Sequence, residues 1–224
     1  MGERADLYHF SPKLNELEKM PYELANFEIF KDRFVKIEKP RKESKSRDIG
    51  LADAITGKIV LPIEYEYIRF VKNGIVVLKN NLEGVMDDKF NLILPIEFNS
   101  IDEENGAYIV SKDINGVRRE DLYSLNGKNL TQGKYVYIKY AGEGKFIATQ
   151  GKLKDNVMHI QDGFLIDKNA EVVIDFKKLG LYESDKFSSG LMPVKDRKTD
   201  LYGYINDKGE IVIPAEFEQA ERFF

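Results

Sequence analysis

The sequence predicts an all-β protein of tandem antiparallel β-hairpin, three-stranded repeats of about 33–41 residues, stacked as an open superhelical array or a closed propeller-like ring, with one short N-terminal helix. Three observations carry this expectation. A Pro-x-Glu phrase recurs at Pro21/Glu23, Pro62/Glu64, Pro95/Glu97 and Pro214/Glu216. A glycine, a polar turn and a run of β-branched residues or leucine precede three of those prolines. A Gly- or Asn-Gly-type turn then comes before another short apolar run.

The first block aligns Gly50 with Ile59, Val60 and Leu61; the second, Gly84 with Leu92, Ile93 and Leu94; the last, Gly203 with Ile211, Val212 and Ile213. A fourth copy sets Gly163 before Val172, Val173 and Ile174, with Asp175 in the place of proline. Between Pro95 and Asp175 lies room for a degenerate copy, whose remnant is Tyr123 to Gly127 followed by Tyr135 to Tyr140. That makes about five repeats, the middle one degenerate.

Turn chemistry explains why each block is a hairpin. Asn206-Asp207-Lys208-Gly209 offers a type I turn closed by a residue that accepts positive φ, and Thr56-Gly57 and Asn126-Gly127 do likewise. Proline, lacking an N–H, stops each strand at an end, an edge or a bulge. Asn73-Gly74, Asn105-Gly106 and Ser189-Gly190 lead into further strands at Ile75 to Leu78, Ala107 to Val110 and Leu191 to Val194. On this phasing Phe34 to Ile37 closes a repeat whose opening strands are absent. Ser11 before Pro12, with Leu14 and Leu17, suggests a helix capped by Ser11 and ended by Pro21. The domain division is therefore a lead over 1–19 and a β-repeat domain over 20–224.

Composition narrows the function. Thirty-four basic against 38 acidic residues give a net charge of −4, so no global field draws the chain to nucleic acid or membrane. The absence of cysteine removes disulfides, thiolate metal sites and thiol nucleophiles, and fits a reducing compartment. Cytoplasmic localisation is expected, or a secreted or periplasmic one if a leader has been removed. No stretch approaches the roughly 20 apolar residues of a membrane helix, so no membrane insertion is expected.

The phrase Gly203-Tyr204-Ile205-Asn206-Asp207-Lys208-Gly209-Glu210-Ile211-Val212-Ile213-Pro214 resembles the consensus of the WG-repeat, or KWG-repeat, family, and weaker copies run from Gly50 to Tyr65 and Gly84 to Phe98. The chain has no tryptophan; Ile49, Glu83 and Tyr202 precede the family's glycine. The resemblance implies a bacterial, all-β repeat protein with a binding role and no general catalytic motif, so no active-site residue carries over.

Most of the polar clusters have a structural explanation. Glu23, Glu64, Glu97 and Glu216 recur with the repeat and are expected to serve it, for example by accepting backbone N–H bonds. His9 and His159 lack a second ligand at metal spacing, so no metal and no cofactor is expected. Lys39, Arg41, Lys42, Lys45 and Arg47 form a basic run without the interleaved aromatics that stack on bases, so no nucleic acid is expected. In Tyr135-Val136-Tyr137-Ile138-Lys139-Tyr140, alternation sets Tyr135, Tyr137 and Lys139 on one face, and with Val136 and Ile138 inward this becomes the expected binding surface. The expected function is a non-catalytic scaffold that binds another protein. The alternative is a carbohydrate or cell-envelope ligand. A third reading is an enzyme using Arg118, Arg119, Glu120 and Asp121 of the degenerate middle.

Overall fold

The computed structural model describes residues 5–11, 16–41, 46–154 and 157–222. All regular elements among them are strands, arranged in five antiparallel meanders in chain order. The first sheet holds β1 (Ala5–Ser11), β2 (Glu16–Phe30), β3 (Phe34–Pro40), β4 (Arg47–Asp53) and β5 (Ile59–Tyr65). The second holds β6 (Tyr67–Val71), β7 (Gly74–Lys79), β8 (Leu82–Met86) and β9 (Leu92–Phe98). The third has β10 (Ser100–Glu104), β11 (Ala107–Ile114) and β12 (Val117–Ser124). The fourth has β13 (Tyr137–Gly142), β14 (Lys145–Lys154), β15 (Val157–Asp167) and β16 (Val172–Asp175). The fifth has β17 (Leu181–Glu183), β18 (Leu191–Asp196), β19 (Tyr202–Asn206) and β20 (Ile211–Phe217). The chain forms two compact units, residues 1–99 and 100–224.

The repeated sequence block is a repeated structure. β5 and β9 have the same alternation of burial, with Leu61 and Tyr65 matching Leu94 and Phe98 as the residues turned into the core. All five sheets also share one turn, at the ends of β4, β8, β12, β15 and β19. Its first residue donates its N–H to a carbonyl four or five places on: Asp53 to Lys58, Asp87 to Asn91, Ser124 to Lys128, Asp167 to Glu171 and Asn206 to Glu210, at 2.8–3.0 Å. In all five a side-chain oxygen of that residue also accepts from N–H groups of the turn, as Asp87 Oδ1 does from Lys89 and Asn91 and Ser124 Oγ from Lys128. Those bonds hold the Asp87 carboxyl below its ordinary range, the Asn91 side-chain bond first; the Thr56 N–H does the same for Asp53.

Why the repeat needs glycine is visible in the register. The ladder across this turn slips between Ile49 and Leu51, Glu83 and Val85, and Tyr202 and Tyr204, because a bulge at the proline pushes the last strand against its partner. A Cβ at Gly84 would lie 2.7 Å from Ile96 Cγ1 and 3.0 Å from its Cα. At Gly50 it would lie 2.7 Å from the Leu61 carbonyl oxygen, and at Gly203 2.5 Å from that of Ile213. Only glycine leaves room for the backbone there.

Three expectations are corrected. The N-terminal helix is absent: Glu16–Phe30 is a strand paired with β1 and β3, and Met20, Tyr22 and Leu24 alternate with period two, with Tyr22 buried and its hydroxyl donating to the Gly57 carbonyl at 2.6 Å. The segment between Pro12 and Asn15 lies outside the described residues. The second, fourth and fifth sheets have four strands rather than three. The missed element is the one after the buried aromatic, such as β6, because Glu66 alone separates it from β5 and no turn residue marks the joint. Phe34 to Ile37 is consequently no closing strand but the second of the four from β2 to β5, with Ile37 opposite Gly50 as Val77 is opposite Gly84.

Within each unit, core forms between consecutive sheets. In residues 1–99, Leu61 and Tyr65 pack with Ile68, Ile75 and Met86. In residues 100–224, Ile174 and Phe176 pack with Leu181, Met192 and Ile205, while Leu122, Tyr135 and Phe146 belong to another cluster. Burying side chains of this size contributes about 1.5–3 kcal/mol each.

Candidate functional site

The third sheet departs most from the repeat, and its departures build the site. Its fourth strand is replaced by a loop that touches β12 through two isolated bridges, Tyr123 with Asn129 and Glu120 with Tyr135. These match Met86 with Leu92 and Glu83 with Phe98 in the second sheet, which places Asp121 at the position of Gly84 and Gly133 at that of Ile96. The glycine has thus moved to the opposite strand, where Gly133 adopts φ +73°. Asp121 fills the space: Oδ1 accepts from the Thr131 hydroxyl and from the Gly133 N–H, both at 2.6 Å. Thr131 in turn accepts from Leu122 N at 2.9 Å, and Asn129 caps Thr131 and Gln132. Side chains supply here what a strand's backbone supplies elsewhere.

This loop delivers the chain to Tyr137, the start of β13, beside a cleft of about 380 Å³ in residues 100–224. Its walls carry three carboxylates, Asp102, Glu104 and Glu120, and three cations, Arg118, Lys139 and Lys186. The buried Ser111 hydroxyl shares a 2.7 Å hydrogen bond with Ser100 Oγ, to which Arg118 donates at 3.2 Å. The Glu120 side chain is only 9% exposed. Its Oε2 accepts from Ile138 N at 2.8 Å and its Oε1 lies 3.5 Å from Arg118 Nε. Burial pushes the Glu120 carboxyl up, against the Ile138 N–H and the Arg118 charge, which favour the ionised form.

A second groove of about 380 Å³ shares Arg118 and Tyr137 with the cleft and is otherwise apolar, lined by Val117, Val136, Met158 and Ile160 together with Gly116. It exists because two hairpins outgrow the repeat: β11–β12 turns at Asn115-Gly116, and β14–β15 runs on to Lys154 and back from Val157. Ile160 is 63% exposed and Tyr137 49%.

Of the expected surface, Tyr137 and Lys139 line the cleft and Tyr135 does not. Tyr135 is 1% exposed, its ring centroid 6.1 Å from that of Phe164, because it is this repeat's counterpart of Phe98. Val136 and Ile138 are buried beside it, so alternation begins only at Tyr137. From the other candidate set Arg118 and Glu120 reach the cleft, whereas Asp121 holds the loop. Sequence reasoning missed Ile160, Met158 and Val117; the Asn115-Gly116 turn signal places Val117 and Arg118 at a hairpin tip.

Elsewhere several of the singled-out charges have partners. Arg41 pairs with Asp48, and Arg47 bridges Glu23 and Glu38, while Lys42 and Lys45 lie outside the described residues. Glu64 meets Lys79 at 2.9 Å across the sheet joint, so these two repeat glutamates pair with cations. Among the described residues no group of three or more His, Asp or Glu could hold a metal ion, and no helix is long and apolar enough to cross a membrane.

No curated protein matches the chain. Two solved structures of Hsv2 are similar to it: that from Kluyvelomyces marxianus, with TM-score 0.39 and 13% identity over 86% of this chain, and that from Kluyveromyces lactis, with TM-score 0.36 and 12% identity over 85%. The chain spans 65% of the length of each. The family model described as WG containing repeat matches residues 49–81, 84–113 and 202–224. These segments begin at the strand that carries Gly50, Gly84 or Gly203, the residues whose glycine the bulge requires. The resemblance to the WG repeat is thus matched by the family model at residues 49–81, 84–113 and 202–224, and it coincides with the repeats that carry the bulge.

Proposed function

We propose that the chain is a non-catalytic module that binds another protein, with its contact surface centred on Tyr137 and Arg118. The observation that supports this is their shared position between a polar cleft of balanced charge and an apolar groove, at the place where two hairpins extend past the repeat. Tyrosine and arginine beside exposed aliphatic side chains are the composition of protein-binding hot spots. Both Glu120 oxygens face groups of the chain itself, Ile138 N and Arg118, which suits a structural carboxylate better than an acid–base catalyst.

A carbohydrate is the second reading, favoured by the Ser100 and Ser111 hydroxyls and the Glu120 carboxylate gathered beside a tyrosine ring. Panning random peptides displayed on phage, followed by fluorescence anisotropy with the selected sequences, tests the first reading. Tyr137→Ala and Lys139→Ala should each weaken binding at least fivefold, and Tyr182→Ala, an equally exposed tyrosine elsewhere, should not. Failure to select peptides together with signals on a glycan array would replace the protein by a sugar.

A further inference from the structure

We infer that the partner's contacting segment is an extended, aliphatic peptide that joins the fourth sheet as an added strand along the open edge of β14. The inference rests on the binding surface proposed above and names its mode of recognition.

β13 pairs with β14 only as far as Tyr137 opposite Thr149, and Val136 N–H continues the contact with one bond to the Thr149 carbonyl at 2.9 Å. β14 then runs on. From Gly151 to Lys154 its pairing is with β15 alone, so on the β13 side these residues have no ladder partner among the described residues. A row of backbone donors and acceptors without partners is a template for one more strand. A peptide placed there would prolong the line of β13 past Val136, continuing a ladder that already exists.

The same place provides the side-chain recognition. Gly151 lies opposite Ile160 and Leu153 opposite Met158, which sets these positions on one face of the ribbon. The apolar groove runs along that face: a Cβ at Gly151 would lie 2.8 Å from Met158 Sδ and 3.0 Å from Val136 Cγ2. Alternate side chains of an added strand would point into it between Ile160 and the hairpin tip at Gly116 and Val117. A β-branched or leucine side chain fits a lining that is aliphatic apart from Arg118 and Tyr137.

The edges of β5, β9 and β20 are less suited. β5, β9 and β20 carry Pro62, Pro95 and Pro214 at bulges, and proline offers no N–H to a further strand. No proline interrupts β14.

The test uses the full chain and the phage-selected peptides. Selected sequences should carry aliphatic residues at alternate positions, Ile160→Asp should weaken them at least tenfold, and N-methylation of the peptide backbone at every second residue should abolish binding while methylation of the intervening residues is tolerated. Amide exchange at 151–154 should slow on binding. Ile160 is exposed, so its substitution leaves the fold intact, as circular dichroism will verify. Peptides that bind through Tyr137 but ignore Ile160→Asp and backbone methylation would overturn the added strand and leave the binding surface standing. A library that yields no binder would remove both.

Discussion

The hairpins β8–β9 and β15–β16 occupy equivalent places in their sheets and solve one packing problem in opposite ways. In the first, Val85 faces Leu94, the fourth strand bulges at Pro95, and Gly84 makes room for the intruding backbone. In the second, Leu165 faces Ile174 and the ladder continues regularly from Leu165 to Phe164 opposite Asp175, so Phe164 sits where Gly84 would be. Gly163 stands one place earlier than the alignment by glycine suggests, and the nearest atoms to a Cβ there belong to the Glu183 side chain, at 3.0 Å. The glycine is required by the bulge and not by the sheet: where proline is lost the ladder straightens, and an aromatic residue takes the site.

Substitution should separate the two hairpins clearly. Gly84→Ala must displace the backbone of Ile96 and should destabilise the protein by about 2–3 kcal/mol, measured by denaturant unfolding. Gly163→Ala needs only a small shift of a carboxylate and should cost less than about 1 kcal/mol. Equal losses at the two positions would mean that the bulge is not the reason for the glycine. The third sheet, which moves the glycine to the other strand, offers an intermediate case: Asp121→Ala strips the Thr131 hydroxyl and the Gly133 N–H of their acceptor and should cost about 1–3 kcal/mol.

The smallest effect concerns pH. Burial raises the Glu120 carboxyl, so the folded chain holds that proton more tightly than the unfolded chain, and its contribution to stability falls as pH rises from the ordinary carboxylate range through the raised value. Glu120→Gln keeps an acceptor for Ile138 N–H without a buried charge. Its Tm should exceed that of the parent at neutral pH, with the gap closing as the pH falls to about 4. A gap that widens towards acid would reverse the assignment.

Legibility in the sequence has the same physical origin. Gly50, Gly84 and Gly203 with their prolines stand out because each pair recurs at a spacing of 11 or 12 residues around a polar turn. The middle copy is hard to place because its glycine lies at 133 and a carboxylate stands at 121, so the pattern persists in space while vanishing from the letters. Period-two alternation carried back to Tyr135 sets that residue on the surface one step too early; it closes one repeat, whereas Tyr137 opens the next sheet. The joint at Glu66 carries no glycine or proline, which hides β6 and shifts the strand count. The groove depends on how far two hairpins outrun their neighbours, a property of pairing length that local composition does not encode.

The matched bulge and gap also constrain how such a chain can change. Their two halves sit on neighbouring strands, and altering one alone produces either a collision or a hollow, as Gly84→Ala and Asp121→Ala are expected to demonstrate. A repeat can therefore drift from its siblings only by paired steps, one on each strand. Of the two repeats seen to have drifted, the third sheet has taken both steps and the fourth has dispensed with the bulge altogether; the side-chain chemistry that distinguishes this surface from its siblings is concentrated beside them.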